Sequence, residues 1–197
     1  MIFRHHREES EPGGLDRQLK ALEQQAEIAL PGFDAQFFNR AGDLCVEAQL
    51  RDRALGYYGR AIDAYLRAGR YNAAGAVCRK LLRISPGSVR ARCTLAWLSI
   101  GKGLLGDAQW EVDEYVDAAV AGGQADLAAR QIRMMADATY DPELRALLAD
   151  HLHKLGGEPA PGALQPPEES QREEPEALWS RVLRAALMGP EDLRSSD

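Results

Sequence analysis

Pairs of small residues recur along this chain at one fixed spacing. A glycine is followed five positions later by an alanine at Gly69–Ala74, Gly103–Ala108 and Gly123–Ala128. Ala54 extends the series, with Gln49 standing in the glycine position. The four alanines lie 20, 34 and 20 residues apart, and fixed offsets of this kind are typical of stacked helical units. Small residues allow neighbouring helices to approach closely, so the pattern predicts a helical repeat.

Apolar residues keep a helical period from residue 15 to about residue 155, in segments separated by two to five residues. Aromatic residues make up only 7% of the chain, which favours helix over sheet. Ser88 and the Asp141-Pro142 pair are typical helix starts. We therefore predict an all-α fold, an antiparallel helix-hairpin solenoid of about seven or eight helices, with a flexible linker and a C-terminal amphipathic helix.

Proline, glycine and charge divide the chain into six predicted segments. They are a flexible N-terminal arm (1–14), an amphipathic helix and turn (15–33), the helical repeat domain (34–155), a Pro/Glu-rich disordered linker (156–176), a short amphipathic helix (177–188) and a polar tail (189–197).

Three stretches carry residues of a known repeat. In 58–86 these are Tyr65, Gly69, Tyr71, Ala74 and Pro86. A second stretch runs from Phe38-Asn39-Arg40-Ala41-Gly42 to Ala54, Tyr58 and Ala61, and a third through Leu95, Ala96, Gly103 and Ala108. On these residues the chain resembles the tetratricopeptide repeat family, whose unit is a helix–turn–helix of about 34 residues. The first two stretches overlap by about half a repeat, which is closer to the helical repeats of vesicle-fusion adaptor proteins.

The resemblance implies a peptide-binding groove, because the first helix of each pair lines a concave surface in that family. Carried over by position, the groove residues are Gln36, Asn39, Arg40, Asp43, Arg90, Thr94 and Trp97. Most of the clamp that holds chaperone tails in that family is missing, and Asp43 would oppose a ligand carboxylate. Trp97 is either an anchor for a partner, as tryptophan often is, or a core residue.

Basic residues are concentrated in the middle of the chain. Residues 51–102 hold eleven Lys or Arg against Asp52 and Asp63, a net charge of +9, whereas the whole chain carries −6. Spacings of seven and four place side chains on one helix face. We predict a solvent-accessible basic face formed by Arg53, Arg60, Arg67, Arg79 and Arg83. Arginine favours carboxylate or phosphate partners; the alternative is a solvated surface without a partner.

The C-terminal segment differs from the rest. Residues 156–176 contain five of the ten prolines and six glutamates, which predicts an extended flexible linker. A helical stripe follows, and we predict that it forms a docking helix, either on the chain's own solenoid or in the groove of a partner. Its residues are Leu178, Trp179, Val182, Leu183 and Leu187.

Residues for catalysis are scarce. A nucleophile needs a base, yet the four histidines lie at the two ends of the helical region, and Cys45, Cys78 and Cys93 fall on apolar stripes. We predict no enzymatic activity, no metal and no cofactor.

The chain shows no membrane-length apolar run and no signal peptide, and three cysteines cannot all pair. A cytoplasmic protein is therefore expected, and the arginine- and alanine-rich composition suggests a bacterial one.

The expected function is a non-catalytic protein–protein interaction scaffold or adaptor whose partner offers an acidic segment. Its own acidic tail and C-terminal helix would regulate it. The alternative is a nucleic-acid-associated helical protein that uses the arginine-rich face. The net charge of −6 and the expected absence of exposed aromatic platforms argue against nucleic acid, since neutralising the phosphate backbone dominates such binding.

Overall fold

A computed structural model describes residues 12–30 and 32–157, and these residues form eight α-helices and no strand. The all-α prediction is confirmed for this part of the chain. The predicted docking helix and nearly all of the predicted linker lie outside the described residues. The helices are α1 (Pro12–Ile28), α2 (Asp34–Glu47), α3 (Arg51–Arg67), α4 (Tyr71–Ile84), α5 (Val89–Lys102), α6 (Leu105–Ala121), α7 (Ala125–Ala138) and α8 (Pro142–Lys154).

The first helix begins earlier than expected. We predicted an arm up to residue 14, but α1 begins at Pro12, so 12–14 are helical. Proline is well suited to a first helical turn, because its missing N–H has no partner there in any case. Gly13 contributes a carbonyl that accepts a hydrogen bond from Arg17 Nε at 2.8 Å. Residues 1–11 lie outside the described part.

The recurring glycines are explained by the turns between helices. Gly69, Gly103 and Gly123 all have φ between 66° and 69°, in the left-handed region that favours glycine. Gln49 takes the same conformation, with φ of 60°. After α2, α3 and α6 the turn closes with the same three backbone hydrogen bonds, a typical end for a helix. One turn geometry is therefore used repeatedly, once without glycine.

The alanines that follow are enclosed where the helices pack together. Ala54, Ala74, Ala108 and Ala128 are all completely buried. Each lies near the start of a helix, five residues after the left-handed residue of the turn, and its backbone N–H bonds to the carbonyl four residues before it. A larger side chain at these positions would push neighbouring helices apart.

The helices form a repeat-like array with two sets. Connections of two to five residues join successive helices, so neighbours run antiparallel. Extensive contacts join each helix to the next along the chain, and α6 also to α8. Odd-numbered helices therefore run in one direction and even-numbered helices in the other. Asp16–Arg53 and Glu23–Arg60 confirm that α1 and α3 are parallel, because both pairs advance by seven residues.

A polar link joins every helix to the helix two places along. On the odd side, α1 and α3 share two ion pairs, α3 and α5 share Asp63–Arg90, and α5 and α7 share a hydrogen bond from Trp97 to Gln131. Even helices are joined by Asp43–Lys80 (2.8 Å), Glu111–Arg79 (3.9 Å) and Asp113–His151 (3.1 Å). These links fix how far one helix is shifted along its parallel neighbour.

The α6–α8 link involves a buried histidine. His151 is buried on the apolar side of α8, and its Nε2 meets Asp113 Oδ1 at 3.1 Å. Burial lowers the pKa of His151, against the opposing effect of Asp113 and with a further lowering from Lys154. A neutral imidazole that donates to Asp113 is therefore the native form near pH 7.

We expect Ala74→Leu to lower the free energy of unfolding by about 1–3 kcal/mol, because the added methyl groups have no space at the helix contact. Ala76→Leu is the matched control, since Ala76 is exposed on the same helix. Urea unfolding of both variants measures the difference. Equal stabilities would contradict the close packing described here.

Stability should fall as the pH drops below about 6.5, the pKa of a free histidine. The folded state holds the pKa of His151 below this value, so the unfolded chain takes up the proton first and gains stability. Urea midpoints at about pH 7.5 and 5.5 should therefore differ less for His151→Gln than for the parent chain. His153→Gln, at an exposed position of the same helix, should keep the parent's pH dependence.

Candidate protein-docking cleft

Two adjoining hollows open between the C-terminal halves of α2 and α4. They share Val46 and Ile84 as lining residues, and the two together are called here the α2/α4 cleft. The larger hollow has a volume of about 440 Å³ and the smaller about 400 Å³. The lining residues are Arg40, Asp43, Val46, Glu47, Gln49, Arg51, Tyr58, Lys80, Arg83, Ile84 and Pro86.

A network of hydrogen bonds around Asp43 forms one wall of the cleft. Lys80 Nζ donates to both oxygens of Asp43, at 2.8 and 2.9 Å, and to Asn39 Oδ1 at 3.0 Å. The Tyr58 hydroxyl donates to Asp43 Oδ1 at 2.7 Å. Burial, assisted by this bond, raises the pKa of Tyr58, so the phenol stays protonated and remains a donor. Asp43 is thus fixed by hydrogen bonds from Lys80 and Tyr58, which belong to the same wall.

Three arginines on the cleft have no such partner. Arg40, Arg51 and Arg83 are exposed, and no ion pair joins them to any acid among the described residues. Glu47 lies on the same cleft but outside salt-bridge distance of all three. Free guanidinium groups can each hold a carboxylate with two parallel hydrogen bonds. The cleft can therefore bind a ligand with several acidic groups.

The floor of the cleft is apolar. Val46 is 38% exposed and Ile84 is half-buried between the two hollows. A ligand that buries an aliphatic or aromatic side chain here gains roughly 25 cal/mol for each Å² removed from water. Sequence reasoning did not identify Val46, Ile84 or Arg51 as site residues. The signal that could have found them is their position in the chain, because Val46 and Ile84 lie at the C-terminal ends of α2 and α4, and Arg51 begins the helix that follows α2.

The predicted basic face is divided between the two sets of helices. Arg53, Arg60 and Arg67 lie on α3 and are exposed, but each meets an acid of α1 or α2, at Asp16 (2.8 Å), Glu23 (3.1 Å) and Asp34 (3.6 Å). Arg60 also lies over the ring of Phe38, 4.0 Å from its centroid. These side chains hold helices together, and therefore do not form a free basic surface.

The other two predicted basic residues lie on α4, and they differ from each other. Arg79 approaches the buried Glu111 at 3.9 Å, and burial raises the pKa of that carboxyl. Arg83 lies on the α2/α4 cleft beside Arg40. The five predicted residues thus do not share one face, because α3 and α4 belong to oppositely directed sets of helices.

The predicted groove is also wrong as a single surface. Trp97 is 1% exposed and donates to Gln131 Oε1 at 2.9 Å, and Thr94 is buried with its hydroxyl bonded to the Arg90 carbonyl. Arg90 itself pairs with Asp63. Burial removes Thr94 and Trp97 from any accessible groove in this structure. Their helix, α5, also belongs to the opposite set from α2, so the predicted residues cannot line one channel.

The groove residues of α2 lie on two different surfaces. Arg40 and Asp43 line the α2/α4 cleft, with Asn39 bonded to Lys80 behind them. Gln36 instead borders a separate apolar hollow of about 450 Å³ at the α1–α2 connection, called here the α1/α2 patch. Its other lining residues are Gln25, Ile28, Ala29, Leu30, Phe33 and Phe37, with Ile28, Leu30 and Phe33 strongly exposed.

Two aromatic residues are more than half exposed, Phe33 at the α1/α2 patch and Trp110. Trp110, on α6, is 59% exposed. It offers a poor platform for nucleic acid, because α6 carries Asp107, Glu111, Asp113, Glu114 and Asp117 and no basic residue. Its negative charge would repel phosphate groups.

The thiols do not form a reactive site. Cys45, Cys78 and Cys93 are free and buried, as the sequence predicts. Burial raises the pKa of Cys78 and Cys93 to about 12, so the nucleophilic thiolate is rare at neutral pH.

Within 12–30 and 32–157, no group of three or more His, Cys, Asp or Glu could hold a metal ion. No helix of these ranges has the length and apolar character that crossing a bilayer requires.

Comparisons with known proteins give no relative: no protein family, no curated protein and no solved structure matches this chain.

We expect Lys80→Ala to lower the free energy of unfolding by about 1 kcal/mol, because Asp43 and Asn39 lose a charged donor in a half-buried wall. Arg83→Ala is the control on the same helix. It should change stability by less than about 0.5 kcal/mol, since Arg83 has no ion pair among the described residues. Urea unfolding measures the free energy of unfolding of both variants and tests whether Arg83 is dispensable for folding.

Proposed function

We propose that this protein is a non-catalytic interaction module of tetratricopeptide-like type, which binds an acidic, partly apolar protein segment in the α2/α4 cleft. Arg40, Arg51 and Arg83 carry the proposal, because they are exposed on the cleft and no ion pair joins them to an acid of the described residues. Other arginines of the basic middle pair with acids of a different helix: Arg53, Arg60, Arg67, Arg79 and Arg90. The apolar floor at Val46 and Ile84 supports a peptide as ligand over a simple anion.

Affinity for such a ligand would come from both parts of the cleft. Exposed ion pairs each contribute little, typically less than about 1 kcal/mol. Several of them around a buried apolar side chain give a usable interaction, and the charges mainly set specificity and association rate. A weak, salt-sensitive adaptor contact is therefore the expected mode of action.

Nucleic acid is the less favoured ligand. Phosphate contacts along a duplex require an extended basic surface, but Arg53, Arg60 and Arg67 are each engaged by an acid. A role as a cytoplasmic scaffold or adaptor in a bacterium is part of the same proposal and rests on composition.

Fluorescence anisotropy with a labelled acidic peptide, Glu-Glu-Glu-Leu-Leu, tests the proposal on the full chain. We expect salt-sensitive binding that Arg40→Glu/Arg83→Glu weakens at least tenfold. The double variant Lys102→Glu/Arg130→Glu is the control, because it makes the same charge change at exposed sites outside the cleft. A Lys-Lys-Lys-Leu-Leu peptide should not bind.

Equal loss of binding in the two double variants would show a general charge effect and contradict the cleft as the binding site. Tighter binding of a labelled single-stranded oligonucleotide than of the acidic peptide, again dependent on Arg40 and Arg83, would favour the nucleic-acid alternative. Circular dichroism of each variant should be unchanged, since both arginines are exposed.

A further inference from the structure

The lining of the α2/α4 cleft defines what its occupant must carry. Arg40, Arg51 and Arg83 require acidic groups, and the floor at Val46 and Ile84 requires an apolar side chain close to them. No acid of the described residues lies within salt-bridge distance of these arginines. Any occupant from the same chain must therefore come from outside the described ranges.

We propose that the occupant is the chain's own segment 173–179, which docks in the α2/α4 cleft and competes with an external partner. Its sequence, Glu-Glu-Pro-Glu-Ala-Leu-Trp, places three acids directly before Leu178 and Trp179. Residues 158–176 carry six glutamates and a single basic residue, Arg172. Residues 1–11 do not fit as well, because Arg4 and Arg7 stand between the apolar residues at the start and the three glutamates that follow. The proposal rests on the proposed function of the cleft.

The direction of the helices places the end of α8 at the same end of the array as the cleft. All even-numbered helices run the same way, so the C-terminal ends of α2, α4 and α8 lie at the same end of the array. The cleft lies at the C-terminal halves of α2 and α4. The chain leaves α8 at Lys154 and reaches the last described residue, Gly157, at that same end.

The connecting length is sufficient. Packed helix axes lie about 8–10 Å apart, so two or three steps from α8 to α4 or α2 cover about 20–30 Å. Fifteen residues separate Gly157 from Glu173, and they span at most about 50 Å. A soft linker of this length has a root-mean-square reach of about 20 Å. The segment can therefore reach the cleft at an effective concentration in the millimolar range.

The α1/α2 patch is the main competing site for the tail. It is apolar, and its lining residues include no charged side chain that would hold glutamates. It also lies at the opposite end of the array, where even-numbered helices begin. Charge and direction both favour the α2/α4 cleft.

A disulfide trap on the full chain tests the proposal directly. Glu47→Cys/Leu178→Cys should form an intramolecular disulfide in a glutathione buffer, because a disulfide requires the two Cα atoms within about 7 Å. The three native thiols are buried and stay unreactive. Glu27→Cys/Leu178→Cys is the matched control, since Glu27 is exposed beside the α1/α2 patch. We expect at least fivefold more trapping at position 47, abolished by about 0.5 M salt, which screens charges beyond a few Å.

Three results of the trap would overturn the proposal: equal or greater trapping at position 27, no intramolecular disulfide at position 47, or disulfide-linked dimers alone. The last would assign the segment to a second copy. Circular dichroism establishes that both cysteine variants are folded.

Competition gives an independent measurement. Neutralising the segment by Glu173→Gln, Glu174→Gln and Glu176→Gln should tighten binding of the labelled acidic peptide at least threefold, because the internal competitor is weakened. Peptide binding that is equal in parent and variant would overturn the competition and leave the proposed function standing. A salt-sensitive trap in the parent chain, together with no peptide binding even by the variant with Glu173→Gln, Glu174→Gln and Glu176→Gln, would instead contradict the proposed function alone.

Discussion

Close approach of neighbouring helices at buried alanines is the constraint on which the rest of the structure depends. Ala54, Ala74, Ala108 and Ala128 have no exposed surface, and each follows a left-handed residue by five positions. The turn reverses the chain within three residues at most, and the alanine lets the next helix pack without displacement. Repetition of this unit sets the alternating helix directions, and these directions bring the ends of α2 and α4 together as a cleft.

The features that could be predicted from the sequence are those determined by local chemistry. Ser88 and Asp141 cap α5 and α8 through their side chains, because short polar side chains satisfy free N–H groups at a helix start. The buried alanines and the left-handed glycines follow from spacing alone. Gln49 is predictable by position and not by residue type, since its conformation is one that glycine adopts more easily.

The features that could not be predicted depend on which helix lies two places along. Arg60 looks free on its own helix, and only the position of α1 brings Glu23 within 3.1 Å of it. Periodicity cannot distinguish a buried from an exposed tryptophan either. Trp97 is enclosed by α7 through Gln131, whereas Trp110 faces outward on α6. The free arginines of the cleft were thus identifiable only after the internal pairs had been found.

The order of helix contacts along the chain determines which helices can unfold separately from the rest. Extensive contacts join only helices that are one or two places apart along the chain, so stability is close to a sum of neighbouring terms. The α7–α8 hairpin at one end can unfold as a separate cooperative unit, with α2, α3 and α4 still assembled. The free energy of the opening that lets amide hydrogens exchange with solvent should therefore be smaller for α8 than for α3, because α3 is packed between neighbours on both sides.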